Sequence, residues 1–564
     1  MPTEHSSAGR APRRVRWPVL VSPLAVLILL AGAAALWPDL APRPRPPAET
    51  PVFQFPAEPS LLVFPFDDLG PGGADDYLGR GMAEEIAVQL AASPRLRLVS
   101  NRNVSPYLAE AENPGRLARE LDVDLLLTGS VQALGDSIEL TAKLSDTRTA
   151  GLVWISTFNR PPGDIFEIQD EIAGVIADLL LQGESLPGRA APTTNLAAYD
   201  YYLQGREHLA RIDAASTAQA VMLFRRALSL DPDFAPARSS LAQALARQGS
   251  RYQQGASLLS TALEQADAAI ALDDGLADAH CARGLAHMGL GRFEDSRVDI
   301  LRAVALSPNH IDAVFLGGLL SDFRGQLAEA VRYFQRALEL NPRFSRTVAL
   351  ARTMLLLSRE VQALDVGRRG ARLEPGAPML HFAHVLTLAG EHEEALMMCS
   401  EALAREVPRA RNLCGFSALL AGEMGLAEYL LSEDWQQDPR AQWGPFAFAA
   451  SATHLALLRQ ASGDWAAADG LLNQSEAVTL AARAAGNDHW ALSYNLAAVA
   501  ALRGDAARAA EWLDTAYRNG FRDHRLLNLD PALDLVRFTP AYLDLQARIG
   551  YDMAQAAQQL GWGQ

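Results

Sequence analysis

The amino-acid sequence predicts a mostly α-helical protein with a single N-terminal transmembrane helix, a small α/β domain and a long α-solenoid. Three observations support this fold class. An apolar segment at residues 17–37 contains no charged residue. Short apolar runs alternate with helical patterns over residues 59–183, as in small α/β domains. From residue 196 onward, small and bulky residues recur with a 34-residue period, which indicates stacked helix pairs.

Composition excludes several function classes. The chain has 564 residues, enough for two or three domains, and a net charge of −16. This acidic balance disfavours nucleic-acid binding, because no excess of cations is present to neutralise phosphates. Lys143 is the only lysine, so a lysine-dependent phosphate loop or Schiff base is excluded elsewhere in the chain. The abundance of Ala, Gly, Pro and Arg is typical of a GC-rich bacterial genome.

Residues 17–38 are predicted to form the transmembrane helix, because the apolar run is long enough to cross a bilayer of about 30 Å. Tryptophans at both ends of the run suit the membrane interface. Four arginines lie among residues 1–16, so the positive-inside rule places this tail in the cytoplasm. The predicted location is therefore the bacterial inner membrane, with one span and the bulk of the chain in the periplasm.

A cleaved signal peptide is the alternative interpretation, with small residues at 31–33 as the cleavage site. The length of the apolar run favours the anchor over the signal peptide. The proline-rich residues 39–58 are predicted to form a stiff, extended linker away from the membrane.

The predicted α/β domain covers residues 59–183. Its strands are expected at 60–66, 96–99, 125–131, Ser137–Asp146 and 153–158, and its helices at 82–90, at 117–121 and from Asp164 onward. Ser137–Asp146 alternates apolar and polar residues, which predicts an antiparallel strand with one exposed face. The glycine-rich residues 70–73 are flanked by aspartates and lack the Walker lysine. They predict a turn rather than a phosphate-binding loop, because carboxylates repel phosphate.

A repeated pattern fills residues 196–564, after a predicted linker at 184–195. The helix-ending residues Asp274, Pro308 and Pro342 are spaced by 34 residues. Small and bulky residues recur in register before them: Ala220, Phe224, Ala227; Ala262, Ala266, Ala269; Ser296, Ile300, Ala303; Ala330, Phe334, Ala337. This pattern resembles the tetratricopeptide repeat (TPR), in which small residues allow two helices to approach closely. Eight or nine units are predicted, and residues 526–534 are predicted to cap the last one.

The α/β region resembles the TolB amino-terminal-like domain that precedes TPR arrays in bacterial cyclases and winged-helix regulators. The matching segments are Val63-Phe64-Pro65-Phe66, Tyr77-Leu78-x-x-Gly81-Met82-x-Glu84-Glu85-Ile86, Leu125-Leu126-Leu127-Thr128-Gly129-Ser130-Val131 and Asp164-Ile165-Phe166-x-x-Gln169-Asp170-Glu171-Ile172. The resemblance implies a small sensing or docking domain with no known catalytic set. Those relatives carry an output domain upstream, whereas only about 16 residues precede the membrane segment here.

The TPR resemblance also implies a binding surface, since the first helix of each pair lines a concave groove in such arrays. When the groove positions of TPR arrays are carried over to this sequence in repeat register, the residues that would face the groove are Asp278, Cys281, Asp312 and Phe315. Ordinary packing explains Phe315 equally well. The expected partners are other proteins or peptide segments, with no nucleic acid and no small-molecule substrate.

No catalytic, cofactor or metal site is predicted. His381, His384 and His392 lie near several glutamates, but structural and surface histidines are far commoner than metal ligands. The three cysteines show no zinc-binding spacing. A Cys399–Cys414 disulfide is conceivable in an oxidising compartment, while buried thiols that act as small hydrophobes are the favoured interpretation.

Three functions remain open from the sequence. The first is a non-enzymatic scaffold or sensory subunit of the cell envelope, and it accounts for an array that fills most of the chain. The second is the detached sensor half of a signalling system, whose output domain is a separate protein. The third is an exported enzyme with an unrecognised site, which no constellation of residues supports.

Overall fold

A computed structural model describes residues 58–69, 76–99, 114–134, 136–181, 192–211, 213–251, 256–342, 344–373, 376–437 and 450–562. They belong to one compact unit, Phe55–Gln564. The predicted membrane segment at 17–38 and most of both predicted linkers lie outside these residues. In the part that is described, no helix has the length and the apolar character needed to cross a membrane.

The α/β domain contains a six-stranded mixed sheet in the described residues. Its strands are β1 (Ser60–Val63), β2 (Asp67–Asp68), β3 (Arg97–Val99), β4 (Leu125–Leu134), β5 (Ser137–Asp146) and β6 (Leu152–Arg160). The order is β3-β1-β4-β5-β6, and β2 also pairs with β4. β1 is parallel to β3 and β4, whereas β4, β5 and β6 pair antiparallel.

The sheet confirms the alternation in β5, because its apolar side chains are buried from Ile138 to Leu144 while their neighbours are more exposed. The strand predicted over 60–66 is shorter than expected. It ends at Val63, and Pro65 has no N–H with which to continue the ladder.

The described residues of this domain also contain three α-helices: α1 (Asp76–Leu90), α2 (Pro114–Glu120) and α3 (Ile165–Leu181). Leu117 in α2 packs with Leu62 and Val99 of the sheet. α3 buries the isoleucines that recur at helical spacing from Ile165 to Ile176, and it packs against α1.

Nine helix pairs follow in the described residues, at the upper end of the predicted count. The first six helices are α4 (Leu196–Ala210), α5 (Ala214–Leu230), α6 (Ala235–Arg251), α7 (Ala256–Leu272), α8 (Ala277–Gly289) and α9 (Phe293–Leu306). The next six are α10 (Ile311–Phe323), α11 (Leu327–Leu340), α12 (Val348–Leu356), α13 (Glu360–Leu373), α14 (Ala377–Ala389) and α15 (His392–Ala404). The last six are α16 (Ala410–Leu420), α17 (Met424–Gln437), α18 (Ser451–Ala461), α19 (Trp465–Ala484), α20 (Trp490–Leu502) and α21 (Ala506–Arg518).

Small residues bring the two helices of a pair together, as the sequence pattern predicts. In the α10/α11 pair, Ala330 and Ala337 are buried, and a Cβ atom on Gly318 would overlap the ring of Phe334. Gly291 and Gly325 occupy turns between paired helices with φ of +74°, a conformation that favours glycine.

The chain ends in α22 (His524–Leu529), a 3₁₀ turn (Pro531–Leu533) and α23 (Pro540–Gln559). α23 packs against α21 and also against α11. This second contact shows that the C-terminal part folds back onto the middle of the array. We call the contact between the units in residues 277–389 and residues 487–562 the closing seam.

The closing seam explains the burial of entire helices. Twelve of the 13 residues of α10 are buried, and all 13 residues of α20 are buried. Neighbouring units cover only part of each helix, so the remaining side needs another partner. The imidazole of His489 covers part of this remaining side. Its centroid lies 5.3 Å from the ring centroid of Phe293 and 5.2 Å from that of Phe323.

The structure pairs Cys399 in α15 with Cys414 in α16 as a disulfide, with Cα atoms 5.5 Å apart. The favoured interpretation of these two cysteines as thiols was therefore wrong, because the α15–α16 turn brings the two side chains into contact across 15 residues. Cys281 is a buried thiol.

Candidate functional site: the inner face of the helical array

The first helices of successive pairs contact one another along the array, as α6, α8 and α10 do. We call the side that they form the inner face. The four predicted groove residues lie on two of these helices. Cys281 on α8 and Phe315 on α10 are buried, at 3% and 7% exposure. The side chains of Asp278 and Asp312 are 16% and 15% exposed.

Asp278 lies beside the helix cap of the next unit. His310 caps α10, because its Nδ1 accepts the N–H of Ala313 at 3.2 Å. The other ring nitrogen must then carry the proton, and Nε2 donates it to Asp278 Oδ1 at 3.0 Å. The carboxylate of Asp278 is thus held by the repeat that follows it.

Asp312 and Phe315 are brought together by Arg346. The Arg346 guanidinium pairs with Asp312 Oδ1 at 3.1 Å. It also lies 5.3 Å from the ring centroid of Phe315 and 5.7 Å from that of Phe344, within the range of cation–π attraction. A cationic ligand would have to compete with Arg346 for Asp312. The role of the four residues in partner binding remains a prediction.

Arg346 and His310 are site residues that the sequence analysis missed. Arg346 follows Asp312 by 34 residues, as Asp312 follows Asp278. Extending the repeat register by one unit would have placed Arg346 on the same face. His310 carried no such signal, because its role depends on its position immediately before α10.

The α/β domain borders one end of this face. The Tyr202 hydroxyl of α4 donates to Glu85 Oε1 at 2.8 Å and accepts from Arg206 Nη1 at 2.7 Å, and Arg206 also pairs with Glu84. Burial, followed by the nearby carboxylates of Glu85 and Asp278, raises the pKa of Tyr202.

A second junction lies at the turn before α10. The side-chain amide of Asn309 is buried and donates to the carbonyl oxygens of Ser93 and Leu96, each at 2.8 Å. Ser307 Oγ donates to the carbonyl of Ala91 at 3.3 Å. The α/β domain is thus attached to the array at places more than 100 residues apart in the chain.

The described residues contain no group of three or more His, Cys, Asp or Glu side chains that could hold a metal ion. Of the histidines considered as ligands, His384 is buried in α14. His392 begins α15, on the far side of the turn at Gly390. A cluster around Asp299 is an ion-pair network, because Arg283 binds its carboxylate through Nε at 2.9 Å and Nη2 at 2.6 Å.

A family model described as the tetratricopeptide repeat matches residues 277–310 and 314–344. These segments are the α8/α9 and α10/α11 pairs. The array contains tetratricopeptide repeats. The prediction from the 34-residue period is confirmed, and the TPR array provides the kind of extended surface on which solenoids bind other proteins.

Two curated relatives match part of the chain. "Putative adenylate cyclase 3" of Rhizobium meliloti (strain 1021) is 29% identical over 208 residues, which cover 36% of this chain and 34% of the relative. "Anaphase-promoting complex subunit 3" of Schizosaccharomyces pombe is 25% identical over 189 residues, which cover 32% of this chain and 28% of the relative. The chain thus spans about a third of the length of the curated relatives that it matches.

Among solved structures, TTC0263, a thermophilic TPR protein of Thermus thermophilus, is similar to this chain. The identity is 21%, and the match covers 34% of this chain and 99% of that protein, with a TM-score of 0.29.

Proposed function

We propose that this protein is a membrane-anchored scaffold or sensory subunit outside the cytoplasm, which binds other proteins or peptide segments through its TPR array. The observation that carries the proposal is the array itself. Nine helix pairs in the described residues present a series of neighbouring first helices, and solenoids of this kind use such surfaces for binding.

The disulfide between Cys399 and Cys414 supports a location outside the cytoplasm, because disulfides persist in oxidising compartments. The apolar segment at 17–38 supports the anchor. Alkylation of the denatured protein without reductant should modify Cys281 alone, and all three cysteines after reduction. Modification of all three before reduction would contradict the proposed location.

A second candidate is the detached sensor half of a signalling system. The partial similarity to a putative adenylate cyclase supports it. In this version the array binds a separate output protein, so both candidates require a protein partner.

The binding proposal can be tested on the full-length protein. Tagged wild type and the Asp278→Asn/Asp312→Asn double variant would be isolated from producing cells after chemical cross-linking. We expect the double variant to retain less partner protein, since the two carboxylates hold His310 and Arg346 in place on the inner face. Asp469→Asn is the matched control, because Asp469 is a carboxylate on α19 that bonds only locally in the contacts described, to Asn473 at 3.2 Å. Equal recovery of partners by both variants would contradict a role for these two residues.

A further inference from the structure

The closing seam follows the turns between the first and second helices of four successive units. Each of these turns meets a different part of the C-terminal region. The contacts are Gly291 with Asp488, Gly325 with Gly520, Arg359 with Trp562, and Leu388 with Arg525. Because these contacts recur over four units, the closing seam is a continuous interface and not a single local contact.

A buried arginine lies at the centre of this seam. Arg352 on α12 donates through Nη1 to Asp322 at 2.6 Å and through Nη2 to Asp523 at 3.1 Å. Its side chain is 11% exposed, and that of Asp523 is 1% exposed. Asp523 is held in place by a second role, because its Oδ1 accepts the N–H of Leu526 at 2.9 Å and thereby caps α22.

A second buried carboxylate follows seven residues later, at Asp530. Its Oδ1 lies 3.2 Å from His454 Nε2 on α18, and its Oδ2 accepts the Tyr494 hydroxyl of α20 at 2.9 Å. Asp530 also caps the 3₁₀ turn through the N–H of Ala532. Both aspartates therefore shape their own segment and bind side chains of the array.

The backbones at the seam fit closely. Gly520 has a φ of +107°, and a side chain there would overlap the carbonyl of Phe323. A Cβ atom on Gly325 would lie 2.8 Å from the carbonyl oxygen of Gly520. Between the two aspartates, Leu526 and Leu527 are fully buried. Residues 523–530 thus lie against the first helices α12, α14, α18 and α20, as a bound peptide would.

We propose that residues 523–530 are a built-in ligand of the inner face, and that a partner binding there presents a peptide of the same chemistry. Such a peptide carries two carboxylates seven residues apart, with leucines between them. The first carboxylate binds Arg352, and the second binds His454 and Tyr494. The partner peptide displaces residues 523–530 when it binds. This inference rests on the proposed function, since it specifies which peptides the TPR array accepts.

The first test measures hydrogen exchange in the full-length protein. Asp523→Asn keeps a side-chain oxygen for the cap, because asparagine caps helices as well as aspartate does, but it removes the charge that Arg352 binds. We expect the amides of residues 519–530 to exchange about tenfold faster in this variant. Asp505→Asn is the matched control, since Asp505 caps α21 through the N–H of Arg508 and is held by no group across the seam in the described contacts.

A milder variant keeps the test valid if Asp523→Asn fails to fold. Glu360 lies at the rim of the seam with 45% exposure and pairs with Arg525 at 2.8 Å. Glu360→Gln should accelerate the same amides about two- to threefold. The proposal would be overturned if the amides of residues 519–530 exchanged at the wild-type rate in Glu360→Gln and, where it folds, in Asp523→Asn.

The second test uses a fluorescent peptide of residues 519–534 as the probe. We expect it to bind the full-length Asp523→Asn protein about tenfold more tightly than the wild type, whose own segment competes. A peptide with asparagine in place of both aspartates should bind neither protein. Faster exchange without peptide binding would overturn the ligand role and leave a packing role only. Neither test uses a partner protein, so failure here is distinguishable from failure of the proposed function.

Discussion

Several ionisable side chains are buried where the C-terminal region meets the middle repeats. Arg352 is shared between two carboxylates there, and removal of one partner of such a group typically costs about 3–5 kcal/mol. His384 and His489 lie nearby, and both are almost fully buried. Burial lowers the pKa of His384 to about 4 and that of His489 to about 3. These histidines make the stability of the array depend on pH.

The direction of this dependence follows from proton binding. In the unfolded chain an imidazole binds a proton below about pH 6.5, whereas the folded protein keeps His384 neutral down to about pH 4. The free energy of unfolding should therefore fall as the pH drops from about 6.5 towards 4, by about 2 kcal/mol per histidine at pH 5. His384→Gln should remove its share of this loss, measured by urea denaturation at pH 7.5 and 5.

The matched control for this experiment is His392→Gln. His392 is partly exposed at the start of α15, so this variant shows what the loss of an imidazole outside the buried region does to stability. A pH dependence in His384→Gln equal to that of the wild type would show that His384 is not a neutral buried group.

At the scale of elements, the helix pairs depend on close approach between a glycine of the first helix and a large side chain of the second. Gly205 faces Phe224, Gly284 faces Ile300 and Gly318 faces Phe334. The aromatic and aliphatic partners are buried, so they have little room to move. The spacing of the paired helices is set at these positions.

Gly318→Ala should therefore destabilise the protein by about 1–3 kcal/mol, because the new methyl group overlaps the buried Phe334 ring. Gly550→Ala is the control, since Gly550 lies on the exposed side of α23 with no atom near an added Cβ. That substitution should stabilise the helix by up to about 1 kcal/mol. Urea midpoints that shift equally for both variants would contradict this account of the pair packing.

Elements with a local pattern could be predicted from the sequence. The alternation in β5 and the recurrence of Ala330, Phe334 and Ala337 each follow from the period of one strand or one helix pair. The closing seam could not be predicted, because Arg352 and Asp523 are 171 residues apart and no repeat register relates them. In the candidate site, the repeat register places Asp312 and Phe315 on the first helix of a pair, and they lie on such a helix in the structure. Their contact with Arg346 could not be predicted, because it depends on how neighbouring units pack in three dimensions.

At the scale of the whole molecule, the α/β domain and the TPR array form one packed unit rather than two independent parts. Asn309 fixes this arrangement, since its amide satisfies two carbonyl groups of the α/β domain. Its own Oδ1 accepts from Arg336 Nη2 at 3.2 Å. The two parts are therefore held together by direct contacts.

Asn309→Ala should loosen this attachment, because it leaves two buried carbonyl groups without their donor, at a cost of about 1–3 kcal/mol. We expect residues 91–97 to become more accessible to protease and to hydrogen exchange. Asn473→Ala is the control, since the bonds of Asn473 to Asp469 and to Arg503 are exposed and involve no residue of the α/β domain. Equal protection of residues 91–97 in both variants would mean that Asn309 does not hold the junction.

We expect the TPR array, and not the α/β domain, to be the surface on which this protein binds its partner. The most direct measurement is the hydrogen-exchange footprint of residues 58–564 with and without the cross-linked or co-purified partner. We expect new protection on the inner face, in α8, α10 and α12, together with faster exchange in residues 523–530 as they are displaced. Protection confined to residues 58–181 would contradict the claim and assign recognition to the α/β domain.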